Sequence, residues 1–278
     1  MAPRPSAKSN MKKRSTAKSK TRAGKKPIKS PLAWRWNQHK LQPIKFVQTV
    51  LLDDLIGVER QKTALVANTR QFVQGLPANH VLLTGARGTG KSSIVKALLP
   101  LFASDGLRLV EVAVHDLLDL PDIVAPLRGK QERYILYVDD FSVAANDPAL
   151  TALKTVLDGG IEQPPDNVLI YATSNRRHLM PEMRSDNKEY HWIDDELHPG
   201  ESTEEKISLS ERFGLWLSFP AFDQTQYLAL VKLHLQQLGV TDWNEETEKI
   251  ALRWALNRAS RSGRVAKQFA RDWAGSHS

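Results

Sequence analysis

The chain has 278 residues, of which 41% are hydrophobic, with 39 Lys and Arg against 31 Asp and Glu and no cysteine. That length holds one large or two small domains with a proper core. Disulfides and thiolate metal sites are excluded, and no apolar run approaches the ~18 residues of a membrane span, so a reducing, cytoplasmic location away from membranes is expected. The net charge of +8 is unevenly spread: residues 1–52 carry 14 of the bases and no acid, which leaves the remainder mildly acidic.

Residues 1–30 are rich in Lys, Arg, Ser, Ala and Pro. With few large apolar side chains they cannot offset the entropy of ordering, and a disordered basic tail is expected. A solubilising arm, a non-specific nucleic-acid arm and an organelle transit peptide all remain open for it. No apolar stretch follows it as a secretory signal would require. Residues 31–50 read as a linker. Trp34 and Trp36 within it either dock on the folded domain or stack on bases.

From about residue 51 to 220 the pattern is that of an α/β domain. Leu55-Ile56-Gly57 opens a helical stretch running to Phe72. Val81-Leu82-Leu83 is a short buried strand. Then comes Gly85-Ala86-Arg87-Gly88-Thr89-Gly90-Lys91-Ser92, followed by Ser93 and a helix expected to stop at Pro100. This segment fits G-x-x-x-x-G-K-[ST] between a strand and a helix. Its glycines let several backbone N–H groups turn inward toward phosphate oxygens, and the helix N-terminus adds partial positive charge there. Lys91 is the residue to reach the β- and γ-phosphates, and the Ser92 hydroxyl is a Mg²⁺ ligand.

Leu107–Val112 is the second strand. His115–Leu127 is mostly helical, with a break at Pro121. Tyr134–Val138 is the third strand and ends in Asp139-Asp140. Ligands of parallel sheets bind beyond the carboxyl ends of strands. Asp139 is therefore a candidate to hold Mg²⁺ through water, and Asp140 a candidate to position the attacking water. Asp147-Pro148 starts a helix that ends before Gly159-Gly160. Val168–Thr173 is the fourth strand, and Asn175 beyond its end is placed to contact the γ-phosphate or orient water. Leu215–Phe219 is the fifth. Strands alternating with helices indicate a doubly wound parallel sheet of five strands.

Between Asn175 and Arg212, residues 182–211 hold ten acids against three bases. They read as a solvated acidic loop or a partner-binding insertion. The spacing of His191 and His198 matches no established metal site. From Asp223 the chain is helical. Asp223 and Gln226 form a capping box, Gly239 ends the first helix, and two more run from about Asn244 to Ala259 and from Gly263 to Trp273. Residues 221–278 thus form a small all-helical domain. Arg264, opening its last helix, and Arg212, just before the fifth strand, carry the planar fork suited to a transferring phosphoryl group.

Taken in order, these residues resemble the AAA+ ATPase family over roughly Leu52–Ala274. The loop matches Walker A, Asp139-Asp140 Walker B, Asn175 sensor 1, Arg212 the arginine finger and Arg264 sensor 2. Ile56-Gly57 matches the segment flanking adenine, and the C-terminal helices match the lid. The stretches LLTGARGTGKSS, DNVLIYATSNRRHLMPE, ELHPGE and EEKISLSERFGLWLSF are similar to the bacterial domain-of-unknown-function 815 family. The resemblance implies a P-loop NTPase that uses ATP and Mg²⁺, assembled as a ring in which Arg212 serves a neighbour's site in trans. Hydrolysis would drive remodelling or loading of a macromolecular partner, nucleic acid being one candidate through the basic tail. One departure is plain: Walker B typically ends Asp-Glu, and here it ends Asp-Asp. An aspartate is one methylene shorter, and a small misplacement of the attacking water costs about 100-fold. A low rate, or an ATP-gated switch with negligible hydrolysis, stays open beside a motor.

Overall fold

The computed structural model describes residues 31–142, 147–158, 163–175, 191–193, 196–198 and 211–277. The basic tail and most of the acidic stretch 182–211 lie outside these residues.

Four strands in the middle of the chain are almost wholly buried: β3 (Val81–Gly85), β4 (Leu107–Val112), β5 (Arg133–Val138) and β6 (Val168–Ser174). Near-continuous Val, Ile and Leu is what a parallel strand covered on both faces requires. With β9 (Leu215–Phe219) they form a parallel array in the order β4-β5-β6-β3-β9. These are the five expected strands. Alternation along β5 sorts the two faces. Ile135 and Tyr137 join a core with α1 (Glu59–Val73), α2 (Lys91–Phe102) and the C-terminal helices. Tyr134, Leu136 and Val138 join a second core with α3 (Leu120–Val124) and α4 (Pro148–Asp158). A strand with apolar residues on both faces is fixed in register from both sides.

The sheet has two further strands. Residues expected as a linker form β1 (Ala33–Asn37) and β2 (Lys40–Pro43), an antiparallel hairpin added to the β4 edge, with Trp34 opposite Val110 in parallel register. Gln38 and His39 turn the hairpin with φ of 50° and 53°. These are the two positive φ values of a tight two-residue turn, achieved without its usual glycine. Trp36 is 5% exposed and its indole N–H donates to Asp119 Oδ2 at 2.8 Å. Trp34 packs obliquely on Tyr134, 6.1 Å between ring centroids. Both tryptophans dock on the folded domain. A short antiparallel pair, β7 (His191–Ile193) and β8 (Glu196–His198), stands apart within the acidic stretch.

Several helix boundaries differ from expectation. Helix α1 begins at Glu59 rather than Leu55, because Gly57 adopts φ 76° and leaves residues 55–57 as a loop. Pro100 does not stop α2, which continues to Phe102. A proline in the last turn removes one hydrogen bond, and the buried Leu98, Leu99 and Phe102 outweigh that loss. Pro121 does not break a helix but sits at the start of α3, after a 3-10 turn over Val114–Asp119.

The chain ends in three helices, α5 (Gln224–Gln237), α6 (Glu245–Asn257) and α7 (Gly263–Ser276). Each has a side-chain cap. Asp223 accepts from Gln226 N at 2.8 Å and completes a capping box, Asn244 accepts from Thr247 N, and Ser262 accepts from Val265 N. Tyr227, Leu230, Val231, Ala251, Ala266 and Phe269 bury their apolar face, continuous with the α1–α2 core. The helical unit is thereby packed against the open end of the phosphate loop.

Candidate functional site

A cavity of about 730 Å³ opens where the carboxyl ends of the strands meet the C-terminal helices. Of the expected loop residues, Arg87, Gly88, Thr89, Gly90, Lys91, Ser92 and Ser93 line it. Gly85 and Ala86 lie behind. The Ala86 N–H donates to Phe219 O at 3.1 Å. A Cβ on Gly85, at φ 128°, would collide with that carbonyl oxygen, so only glycine passes β9 so closely. Gly88 is pressed from the other side: its carbonyl accepts from the Gly263 N–H at 2.8 Å, and a Cβ on it would meet Ser262. Among the described residues no side chain caps α2, whose N-cap is Gly90. Its first-turn N–H groups therefore face the cavity with no side-chain acceptor, which is what an anion needs.

Lys91 is 4% exposed. Its ammonium donates to Gly85 O at 2.9 Å, Ala86 O at 2.7 Å and Asn175 Oδ1 at 3.0 Å. Burial pulls its pKa below the ordinary lysine value, and the charges of Asp140 and Asp139 oppose that pull. Ser92 Oγ donates to Asp139 Oδ1 at 2.7 Å, and Thr173 Oγ1 donates to the same oxygen at 2.6 Å. Burial works to raise the Asp139 pKa, but the hydroxyls of Thr173 and Ser92 bring it net below the usual carboxylate value. Asp139 is an anion in this setting, beside a hydroxyl. Two hard oxygen donors so placed fit the chemistry of Mg²⁺.

Asp140 has φ 52°, uncommon for a residue other than glycine. Thr173 Oγ1 accepts from its N–H at 3.1 Å, and Asn175 Nδ2 donates to its Oδ1 at 2.5 Å. Asn175 thus joins Lys91 to Asp140 through its two amide ends. Backbone strain at a candidate catalytic carboxylate is held by these side-chain bonds.

The remaining expected residues divide. Arg264 lines the cavity and lies over Gly88, 3.7 Å from where a Cβ there would stand. Ile56 lines it, and Gly57 abuts the Gln226 side chain of α5. Arg212 does not line it. Its side chain is 27% exposed and its Nε donates to Asp158 Oδ2 at 2.6 Å. Missed in the sequence were Thr173, which bonds to both aspartates behind the cavity wall, and the lining residues Lys96, Phe222, Gln48, Thr49 and, from α5 and α7, His234, Gln237 and Lys267. Thr173 had a signal: it lies on the strand two residues before Asn175, and strand side chains two apart point the same way. The others come from distant segments that only the tertiary fold brings together.

A family model described as "Protein of unknown function (DUF815)" matches residues 29–277. The chain belongs to the DUF815 family. Among solved structures, variants of Thermotoga maritima RuvB are similar to this DUF815 protein. One has TM-score 0.54 and 16% identity over 80% of this chain and 63% of its own. Others have TM-scores of 0.54 and 0.52 at 16% identity, each covering 82% of this chain and 65% of the RuvB chain. The DUF815 chain thus spans a little under two thirds of the RuvB chains it matches. At 16% identity the likeness shows the fold alone, a RuvB-like AAA+ fold. A comparison with curated proteins returns no match. No helix among the described residues is long and apolar enough to cross a membrane.

Proposed function

We propose that this DUF815 protein binds Mg·ATP in the cavity and hydrolyses it, coupling turnover to rearrangement of a macromolecular partner. The observation that carries the reading is the hydrogen-bonded network linking the phosphate loop to both carboxylates: Lys91 to Asn175 to Asp140, Ser92 to Asp139, and Thr173 between the two aspartates. Backbone N–H groups of residues 87–92 hold the β-phosphate, and Lys91 exchanges its carbonyl partners for β- and γ-oxygens. Ser92 and Asp139 hold Mg²⁺, which, when bound, neutralises charge on the phosphate oxygens. Asp140 accepts a proton from, and orients, the attacking water, while Asn175 fixes that carboxylate. Arg264 stabilises charge on the γ-phosphate from the helical side.

Arg212 is assigned to a neighbouring subunit's site in a ring. Its position outside its own cavity supports this, since a finger that acts in cis would reach the phosphates. The basic tail supports nucleic acid as the partner.

A second reading is favoured by Asp140 itself. Its side chain is short, its backbone is left-handed and its carboxylate is tied to Asn175, an arrangement suited to an ATP-gated assembly switch with negligible turnover. Phosphate release by the wild type and by Asp140→Asn, with ATP affinity measured in parallel, separates the two. The ATPase reading expects turnover in the wild type and loss of about 100-fold in the variant at unchanged affinity. Binding with no turnover in either protein refutes it and leaves the switch.

A further inference from the structure

The phosphate loop accounts for one end of the cavity, and the other end is walled by the C-terminal helices. Helix α7 starts at the loop, where Gly263 bonds to Gly88 and Arg264 lies over the same glycine. Lys267 and Arg271 follow one and two turns along, roughly 5 and 10 Å away at the pitch of an α-helix. His234 of α5 sits beside that stretch, within the fields of Lys267 and Arg271 from α7 and of Asp54 from the turn before α1. It lines the cavity with Leu230 and Gln237, spaced i, i+4 and i+7 on one face of α5. On the nucleotide-site reading above, phosphates on the loop leave this end of the cavity for the base.

His234 Nδ1 lies 3.1 Å from Gln237 Oε1. An amide oxygen only accepts, so this contact puts the ring proton on Nδ1 and leaves Nε2 with a lone pair. Burial lowers the pKa of the ring. The Gln237 contact and Asp54 act the other way, and Lys267 and Arg271 reinforce burial, with a net effect that keeps the imidazole neutral near pH 7. Adenine presents an amino donor at position 6, and guanine an oxo acceptor there.

We propose that His234, oriented by Gln237, selects the base: Nε2 accepts the 6-amino group of adenine and opposes the 6-oxo group of guanine. The inference rests on the nucleotide-site reading above. It makes the site an adenosine-nucleotide site by hydrogen-bond polarity, with Leu230 and Ile56 supplying apolar walls.

Calorimetric titration with ATP, GTP and inorganic tripolyphosphate at pH 7.5 tests it, on the wild type, His234→Phe and Gln237→Ala. The wild type is expected to favour ATP over GTP by at least about tenfold, since guanine would set lone pair against lone pair. In His234→Phe that ratio is expected to fall below about threefold while tripolyphosphate still binds. Gln237 is exposed, so Gln237→Ala keeps the fold and frees the ring to take either tautomer; the ratio again falls. An ATP/GTP ratio unchanged in a His234→Phe protein that binds tripolyphosphate overturns the proposal. If His234→Phe no longer binds tripolyphosphate, the Gln237→Ala ratio decides. A wild type that binds ATP and GTP equally overturns the base selection alone, whereas one that binds neither overturns the nucleotide site and the selection together.

Discussion

Replacing Lys91 by methionine removes one charge and little volume. In the wild type the ammonium makes three contacts of 2.7–3.0 Å to oxygen acceptors. In the nucleotide complex at least two of these are exchanged for β- and γ-phosphate oxygens. Hydrogen bonds to charged groups contribute about 1.5–3 kcal/mol each. Two of them amount to about 3–6 kcal/mol, so ATP binding is expected to weaken by roughly 10²–10⁴-fold. Stability should move much less. Methionine fills the buried channel, and the lost bonds to Gly85 O and Ala86 O are offset by no longer burying an ammonium whose pKa burial already lowers. A change within about 2 kcal/mol in urea unfolding is expected. Calorimetric ATP titration of Lys91→Met, beside its unfolding curve, makes the test. An affinity within threefold of the wild type in a folded variant would refute the phosphate role of Lys91.

Three further outcomes are expected. His80 accepts the Ile170 N–H at Nδ1, and burial pushes its pKa down to about 4, so the folded state requires it neutral. The unfolded chain takes up the proton first, near its ordinary value of 6.5. Stability is therefore full above that pH, falls between about 6.5 and 4, and levels off below; discounted for partial exposure the loss is about 2 kcal/mol. Urea midpoints at pH 7.5 and 4.5 should show it, and His80→Asn should remove that component; an undiminished pH dependence in the variant contradicts the assignment. Gly85→Ala forces a Cβ into the Phe219 carbonyl and should cost about 2–4 kcal/mol by thermal or urea unfolding, whereas wild-type stability would mean that β3 and β9 are not so closely joined. Arg212→Ala should keep ATP affinity within twofold and lower turnover by about 100-fold at every protein concentration; full turnover removes Arg212 from the chemistry.

The parallel strands were legible because each is an apolar run bounded by glycine, proline or charge, and the phosphate loop because its spacing states its own geometry. Asp139, Asp140 and Asn175 followed from lying at the carboxyl ends of adjacent strands, a position fixed by topology. The β1–β2 hairpin was not legible. Its turn residues, Gln38 and His39, carry no glycine, and it follows a basic tail beside which residues 31–50 read as a linker. Leu55-Ile56-Gly57 looked helical because apolar residues precede a good helix former, but Gly57 takes a left-handed φ of 76° and lies where a Cβ would meet Gln226, far along the chain. His234 and Gln237 had the same handicap. Their spacing marks one helix face, and nothing local says that the face looks into a cavity.

The measurement that bears most directly on the central claim is phosphate release from Mg·ATP as a function of protein concentration, run beside Lys91→Met and an equimolar mixture of Lys91→Met with Arg212→Ala. The account predicts that wild-type turnover per subunit rises with concentration, that Lys91→Met alone is inactive, and that the mixture regains activity. In the mixture, an intact finger from one variant completes the intact phosphate site of the other. Wild-type turnover that is independent of concentration, with a mixture no more active than its components, would contradict a site completed across subunits; no turnover by the wild type at any concentration would contradict hydrolysis itself.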